Sequence, residues 1–318
     1  MLSMVLLAAW SPLRAQEFPT KPIRIIVPYA AGGVVDALAR VLAAPMHEAM
    51  GQPVIVENKP GASGIVGMQA CANAAPDGYT FCITVQDSLS YNPYLFASLP
   101  YDAEKDFAPI TNLGWTNGLI VANAKSGIGS YQELVSAAKA RPGKLNWGTW
   151  GEASQPDILL RAINSHEHLA ITAIPYKGAG QANPALFSGE IDLTYMGIGN
   201  AMQHIQAGTL KPIVLTGKQH VAALPGVPTL AEVGADPGLP GYMAAFAPAR
   251  TPKAILDRLQ GEIAKAAQNP AVQQFYRNYT LTFVGNTPAE FAQFVKSDRA
   301  TAARVFQKMG FKRGGMES

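Results

Sequence analysis

The sequence predicts an α/β protein made of two units in tandem, and three observations predict it. Short β-branched runs alternate with apolar residues at helical spacing, first between residues 23 and 85 and again between 119 and 216. Turn residues mark most changes of pattern, with 30 glycines and 24 prolines among 318 residues. From Pro252 onward the chain reads as helices that each open at a proline, the residue tolerated at a helix start and nowhere deeper.

The elements follow in order. Ile23 to Val27 suits a buried strand, and Ala30-Ala31-Gly32-Gly33 turns the chain. Val34 to Met50 carries apolar residues at Val34, Leu38, Val41, Leu42, Pro45 and Met46 and stops at Gly51. Val54 to Val56 is a second strand, Ile65 to Ala75 a helix ended by Pro76-Asp77-Gly78, and Tyr79 to Val85 a third strand. Strand, helix, strand, helix, strand implies a parallel sheet with helices on its faces. The pattern returns with strands at 119–121, 171–174, 191–196 and 212–216, helices at 130–140, 156–163 and 180–188, and Leu145-Asn146-Trp147 leading into a glycine-bearing loop. Helices at 252–267, 270–278 and 288–309 close the chain, the last with Thr287 as N-cap.

Composition removes several functions. Charged residues make up 15%, against about 25% in an average soluble protein, so long charged disordered tails are excluded. The net charge of +3 is scattered rather than gathered in a stripe, so no nucleic-acid partner is expected.

Met4 to Trp10 is an unbroken apolar run, shorter than the roughly 20 residues a membrane span needs, and Ala15 precedes polar Gln16-Glu17. Residues 1–15 therefore read as a signal peptide, although no Lys or Arg precedes the run; a buried N-terminal element is the other reading. Export across a bacterial inner membrane gives a periplasmic protein. Cys71 and Cys82 flank the Pro76 turn, which could fold a helix end beside a strand. A disulfide and two small buried thiols both fit.

Catalytic constellations are absent: no HExxH, GxSxG, GxxxxGK[ST] or GxGxxG occurs, so neither metal nor cofactor is predicted. Small-residue loops that join a strand to a helix occur instead. There the helix offers unpaired N–H groups and a dipole that favours an anion, and glycines let a carboxylate approach the main chain. Tyr29-Ala30-Ala31-Gly32-Gly33-Val34 and Gly148-Thr149-Trp150-Gly151-Glu152-Ala153-Ser154 are two such loops, and Gln86-Asp87-Ser88 is a third candidate. Each alone is also an ordinary turn; two α/β units facing each other would bring them to one cleft. Asp36 lies in a first helical turn, where a carboxylate is favoured without any guest. Trp150 reads equally as a loop anchor or a stacking platform. Glu152 and Asp157 face solvent, cap the helix or pair with an amino group of a guest.

A series of motifs then identifies a family. Phe18-Pro19-Thr20-Lys21-Pro22-Ile23-Arg24, Val27-Pro28-Tyr29-Ala30-Ala31-Gly32-Gly33 with Asp36, and Gly51-Gln52-Pro53-Val54 through Gly61-Ala62 come first. Pro76-Asp77-Gly78-Tyr79-Thr80, Asn92-Pro93 and Asp106-Phe107 continue the series, then Arg141-Pro142-Gly143, Pro175-Tyr176-Lys177-Gly178, Leu224-Pro225-Gly226-Val227-Pro228-Thr229 and Thr251-Pro252. Over residues 18 to about 310 the chain resembles the extracytoplasmic solute-binding proteins of tripartite tricarboxylate transporters, the Bordetella uptake gene family.

The resemblance implies a periplasmic binding protein of Venus-flytrap type (type II-like), with two α/β domains joined by two hinge strands. Residues 16–112 with 228–318 would form domain 1, and 113–227 domain 2. Such proteins hold small carboxylates through backbone groups and water rather than an arginine, and neither loop here carries a basic residue. By the resemblance Tyr29, Ala31, Gly32, Gly33 and Val34 hold one carboxylate, while Thr149, Gly151 and Ser154 contact the other end. Asp87, Ser88, Trp150, Tyr176 and Met196 complete the candidate site. Family members often carry a histidine where Asp157 stands, and an aspartate where Met196 stands. Without that aspartate an ammonium would lack a partner, and Trp150 with Met196 points to an apolar or aromatic portion on the guest. The implied function is capture of a carboxylate and delivery to membrane subunits of the transporter, by a monomer without enzymatic activity. An exported α/β enzyme on a small carboxylate, or a sensing subunit of the same fold, are the alternatives.

Overall fold

The computed structural model describes residues 18–151, 154–176, 178–217, 220–312 and 315–316. The segment 1–15 and residues Glu152 and Lys177 therefore lie outside the described residues.

The first unit begins with strand β1 (Ile23–Val27), helix α1 (Val34–Met50), strand β2 (Val54–Asn58), helix α2 (Ile65–Ala72) and strand β3 (Thr80–Val85). A π-type turn over Asp87–Tyr91 leads to α3 (Asn92–Leu95) and then to β4 (Phe107–Trp115). The second unit comprises β5 (Gly118–Asn123), α4 (Tyr131–Ala140), β6 (Asn146–Thr149), α5 (Gln155–Glu167), β7 (Thr172–Pro175), α6 (Ala179–Ser188), β8 (Leu193–Gly197), α7 (Ile198–Gln206) and β9 (Leu210–Leu215). The chain then returns as β10 (Tyr242–Pro248), α8 (Lys253–Ala266), α9 (Pro270–Asn278) and α10 (Pro288–Lys308), and ends in the short hairpin β11 (Phe311–Lys312) and β12 (Gly315–Met316).

Both five-stranded sheets share one topology. The first runs β2-β1-β3-β10-β4 and the second β7-β6-β8-β5-β9. In each, three strands are parallel, while the fourth in line, β10 or β5, runs antiparallel to both neighbours. That antiparallel strand is the one laid down just after the chain has crossed from the other sheet. The crossings touch where the Thr116 N–H donates to Gly241 O at 2.8 Å and Trp115 pairs with Tyr242. This is an α/β fold of two sheets joined by two hinge strands.

Local chemistry accounts for the helices the sequence predicts. α1 buries Val35, Leu38, Ala39, Leu42, Ala43, Met46 and Met50 on one face, and Gly51 at φ +66° ends it by donating to His47 O. α10 opens on a full capping box between Thr287 and Glu290. Each sheet has its own apolar clusters. Ile23, Ile25, Leu38, Leu42, Phe81 and Ile263 lie in the first unit; Ile120, Trp147, Leu160, Leu193 and Ile213 lie in the second. Leu230, Val233 and Ala235 pack with the second unit's cluster before the chain returns.

Of the two readings open for the cysteines, the disulfide is the one realised. Cys71 of α2 is bonded to Cys82 of β3, with Cα atoms 6.0 Å apart. Several elements escape the sequence pattern, among them β10, β4 and α7. β10 is Tyr-Met-Ala-Ala-Phe-Ala-Pro, buried along its whole length between β3 and β4, so it shows no alternation of polar and apolar residues. β4 carries Pro109, Asn112 and Gly114 and is accommodated as an edge strand with two register irregularities against β10. Helix α7 follows β8 directly, with no turn residue to signal it beyond Gly197. Among the described residues no helix is long and apolar enough to cross a membrane.

Candidate functional site

Tyr29 to Gly33 leaves β1 and enters α1, and Asp36 organises the loop. Its Oδ2 accepts the Gly32 N–H at 2.9 Å, while Oδ1 accepts from Arg40 Nε at 2.9 Å and Asn58 Nδ2 at 3.0 Å. Burial alone would raise this carboxyl, but Arg40, the Gly32 amide and Asn58 hold it below the usual carboxylate range. Asp36 is thus structural, and it occupies the Gly32 amide. Gly33, the N-cap of α1, supplies no side-chain cap, and among the described residues no side chain is seen to accept from the first amides of α1. Ala31, Gly32 and Gly33 are exposed and Val34 is half-buried. Gly32 sits at φ +86° with open space where a side chain would project.

Tyr29 points down from this loop. Its hydroxyl lies 3.2 Å from both Thr84 Oγ1 and Ser88 Oγ, which are themselves 2.7 Å apart. Burial, then the charge of Asp87, pushes the Tyr29 phenol up to about 12. Asp87 opens the π-type turn after β3, a backbone irregularity common at functional sites. Its Oδ1 is shut from solvent and has no hydrogen-bond partner among the described residues. Burial lifts the Asp87 carboxyl to about 7; its own N–H opposes this, and Asp298 adds to it. Asp298, on α10, is buried: its Oδ2 accepts from Tyr242 Oη at 3.0 Å and from the Ser90 hydroxyl.

The second unit supplies the facing loop. Thr149 ends β6, is buried, and accepts the Tyr176 N–H at 2.8 Å. Ser154 closes the loop on itself: its Oγ accepts the Trp150 N–H at 3.1 Å and donates to Gly151 O at 2.8 Å. Its hydroxyl therefore serves the loop, while its place as the N-cap of α5 leaves that helix without a side-chain cap. Gly151, at φ +100°, again faces open space. Trp150 packs edge-on against Tyr195, ring centroids 5.7 Å apart, and its indole Nε1 is buried with no partner among the described residues. Asp157 does not face solvent: it is buried and paired with Arg161 Nε at 2.8 Å.

Tyr29, Asp87 and Ser88 are thus gathered in the first unit, and Thr149, Trp150, Gly151 and Ser154 in one loop of the second. Tyr195 links the groups. It packs on Trp150, and after burial itself the Asp87 charge is the next cause holding its phenol up. Met196 lies elsewhere, while Tyr176 adjoins Thr149 through its backbone but turns its ring away. Met196 is buried in the apolar cluster with Leu119, Ile198 and Leu215, and Tyr176 packs at that cluster's edge with its hydroxyl on Glu190 Oε1 at 2.9 Å. Adjacent strand residues point to opposite faces, so if Met196 faces the core, Tyr195 faces the loop. That alternation was the available signal for Tyr195. Two cavities, of about 510 Å³ beside Tyr276 and Arg277 and about 620 Å³ around Pro93 to Asp106, include none of these residues.

Known proteins match along nearly the whole chain. Residues 38–311 match the tripartite tricarboxylate transporter family receptor. Protein BugT of Bordetella pertussis is 32% identical over 308 residues, covering 95% of this chain and 93% of that protein. The periplasmic binding protein BugD superposes with a TM-score of 0.82 at 28% identity, covering 93% of this chain and 99% of that one. An R. palustris protein with adipate superposes with a TM-score of 0.84 at 26% identity, over the same shares. The two sheets of like topology and the hinge between them are those of a periplasmic binding protein, and receptors rather than enzymes are what this chain resembles. It belongs to the tripartite tricarboxylate transporter receptor family.

Proposed function

We propose that the protein is an extracytoplasmic receptor that closes two lobes over a small carboxylate and presents it to the membrane subunits of a tripartite transporter. The lobes are the two sheets with their helices, divided at the 116–117 and 216–241 crossings. One observation carries the reading: the long helices α1 and α5 both open next to glycine-bearing loops with no side-chain cap. Entrance amides without a side-chain cap, with no lysine or arginine in either loop, suit a carboxylate held by main chain. The one arginine beside the first loop, Arg40, is engaged by Asp36 and Asn58. Closure needs only a guest that binds the closed state better than the open one.

Several finer points belong to the same proposal. The segment 1–15 directs export, so the receptor works in the periplasm, as a monomer. The Trp150–Tyr195 pair favours a guest with an apolar or aromatic portion beside its carboxylate. Adipate, bound to the R. palustris relative, is the natural first probe. Calorimetric titration with adipate, benzoate and 3-phenylpropionate is expected to give saturable binding without turnover, tightest for a phenyl acid. Product formation, or binding by none of a broad carboxylate panel, overturns the reading.

A further inference from the structure

Two buried polar atoms near Tyr195 have no partner among the described residues: Trp150 Nε1, a donor, and Asp87 Oδ1, an acceptor. Native proteins pair such groups, because an unpaired buried donor or acceptor forfeits its hydration with no return. The two come from different lobes. Trp150 sits in the loop after β6, and Asp87 in the turn after β3. Both act on one ring: Trp150 packs on Tyr195, and the charge of Asp87 reaches it. We propose that Asp87 and Trp150 select a carboxylate guest that carries its own ammonium group, Trp150 Nε1 donating to a guest oxygen and Asp87 accepting from the ammonium. This rests on the receptor reading above and deepens it.

The choice of ammonium follows from what surrounds Asp87. Tyr29 of the β1–α1 loop, Tyr91 of its own turn and Tyr195 of β8 are phenols whose ionisation its charge opposes. Asp298 of α10 is a second acid, and its charge and that of Asp87 repel. Arg299 sits beyond Asp298, with its Nη2 donating to Ala103 O. None of the described neighbours that act on Asp87 brings a positive charge to it, so the guest is left to supply one. A hydroxyl would fill the hydrogen bond but not balance the charge, and a carboxylate confined without a counter-charge is costly.

The sign of the pH dependence separates this from its main rival. Burial holds the Asp87 carboxyl near 7. An ammonium beside it favours the ionised form, so binding releases a proton, and affinity rises with pH, at most about tenfold per unit, up to about 7 and then levels. Two matched series provide the probes: succinate, malate and aspartate, and 3-phenylpropionate, 3-phenyllactate and phenylalanine. Titrate each into the full protein across pH, in two buffers of different ionisation enthalpy. The amino member of at least one series is expected to bind tenfold or more tighter than the unsubstituted one, with up to one proton released. D87N should remove that preference and the pH dependence, while W150F weakens all members of that series together. Binding of the unsubstituted or hydroxy member as tightly as the amino member overturns the inference alone, as does a preference that survives in D87N. Affinity that falls as pH rises through about 7 also overturns it, since Asp87 would then be a protonated donor to a second carboxylate. The wild-type pH profile decides even if D87N does not fold. Binding by no member of either series, nor by any other carboxylate, overturns the receptor reading itself.

Discussion

The Asp36 carboxylate holds the Gly32 amide at 2.9 Å across the first turn of α1, so the glycine loop is fastened by its own helix. D36A removes the buried acceptor of that amide and of Arg40 Nε and leaves Asn58 Nδ2 only Tyr29 O, and is expected to cost about 1–3 kcal/mol of stability in chemical denaturation. Because the folded carboxyl is held below its ordinary value, its stabilisation is complete above that value and fades as pH falls through the lower folded one. The variant should therefore lose its disadvantage only in acid, below about pH 4. Guest affinity should fall with the loosened loop, read by calorimetry.

Asp87 makes the opposite prediction. Its folded carboxyl is raised to about 7, so the stability it permits is complete below the ordinary carboxyl value of about 4 and is lost as pH rises from there through about 7. In guest-free protein, D87N is expected to melt above wild type at about pH 8, by a margin that shrinks as pH falls toward about 4. Thermal melts at the two pH values check this, and a variant that melts lower at both contradicts it.

Gly118 starts β5 at the hinge and lies under the ring of Tyr195, where even a Cβ would collide with the phenol. G118A must push Tyr195 off Trp150, at an expected cost of about 1–3 kcal/mol. Guest affinity should drop with it. Denaturation and titration of the same variant read both effects.

The Cys71–Cys82 bond ties α2 to β3 through a short loop, 11 residues apart in sequence. A closed loop of that size is worth about 3 kcal/mol in chain-entropy terms. The double variant C71A/C82A is expected to unfold at correspondingly lower denaturant while still binding, because the bond lies away from both loops. Loss of binding in folded protein would contradict that.

Much of this architecture was legible in the amino-acid order because its signals are local. α1, α4 and α10 are written in apolar spacing, caps and terminal glycine or threonine. β1 and β3 are written in β-branched runs bounded by turns. The two small-residue loops could be read for the same reason: glycine and its neighbours describe a backbone, whatever surrounds it. Position in the chain therefore determined the elements, the tandem of two α/β units and the loops offered to a guest. Tertiary structure decided the rest. β10 shows no pattern because both its faces are buried by strands and helices distant in sequence. Met196 and Tyr195 exchange roles on one pleat, since only the sheet's neighbours fix which face is core. Asp87 was visible as an acid in a turn. That no described neighbour brings it a positive charge, and that the Trp150 indole in the opposite lobe has no partner among the described residues, come from packing between segments some sixty residues apart, a separation that sequence periodicity does not span.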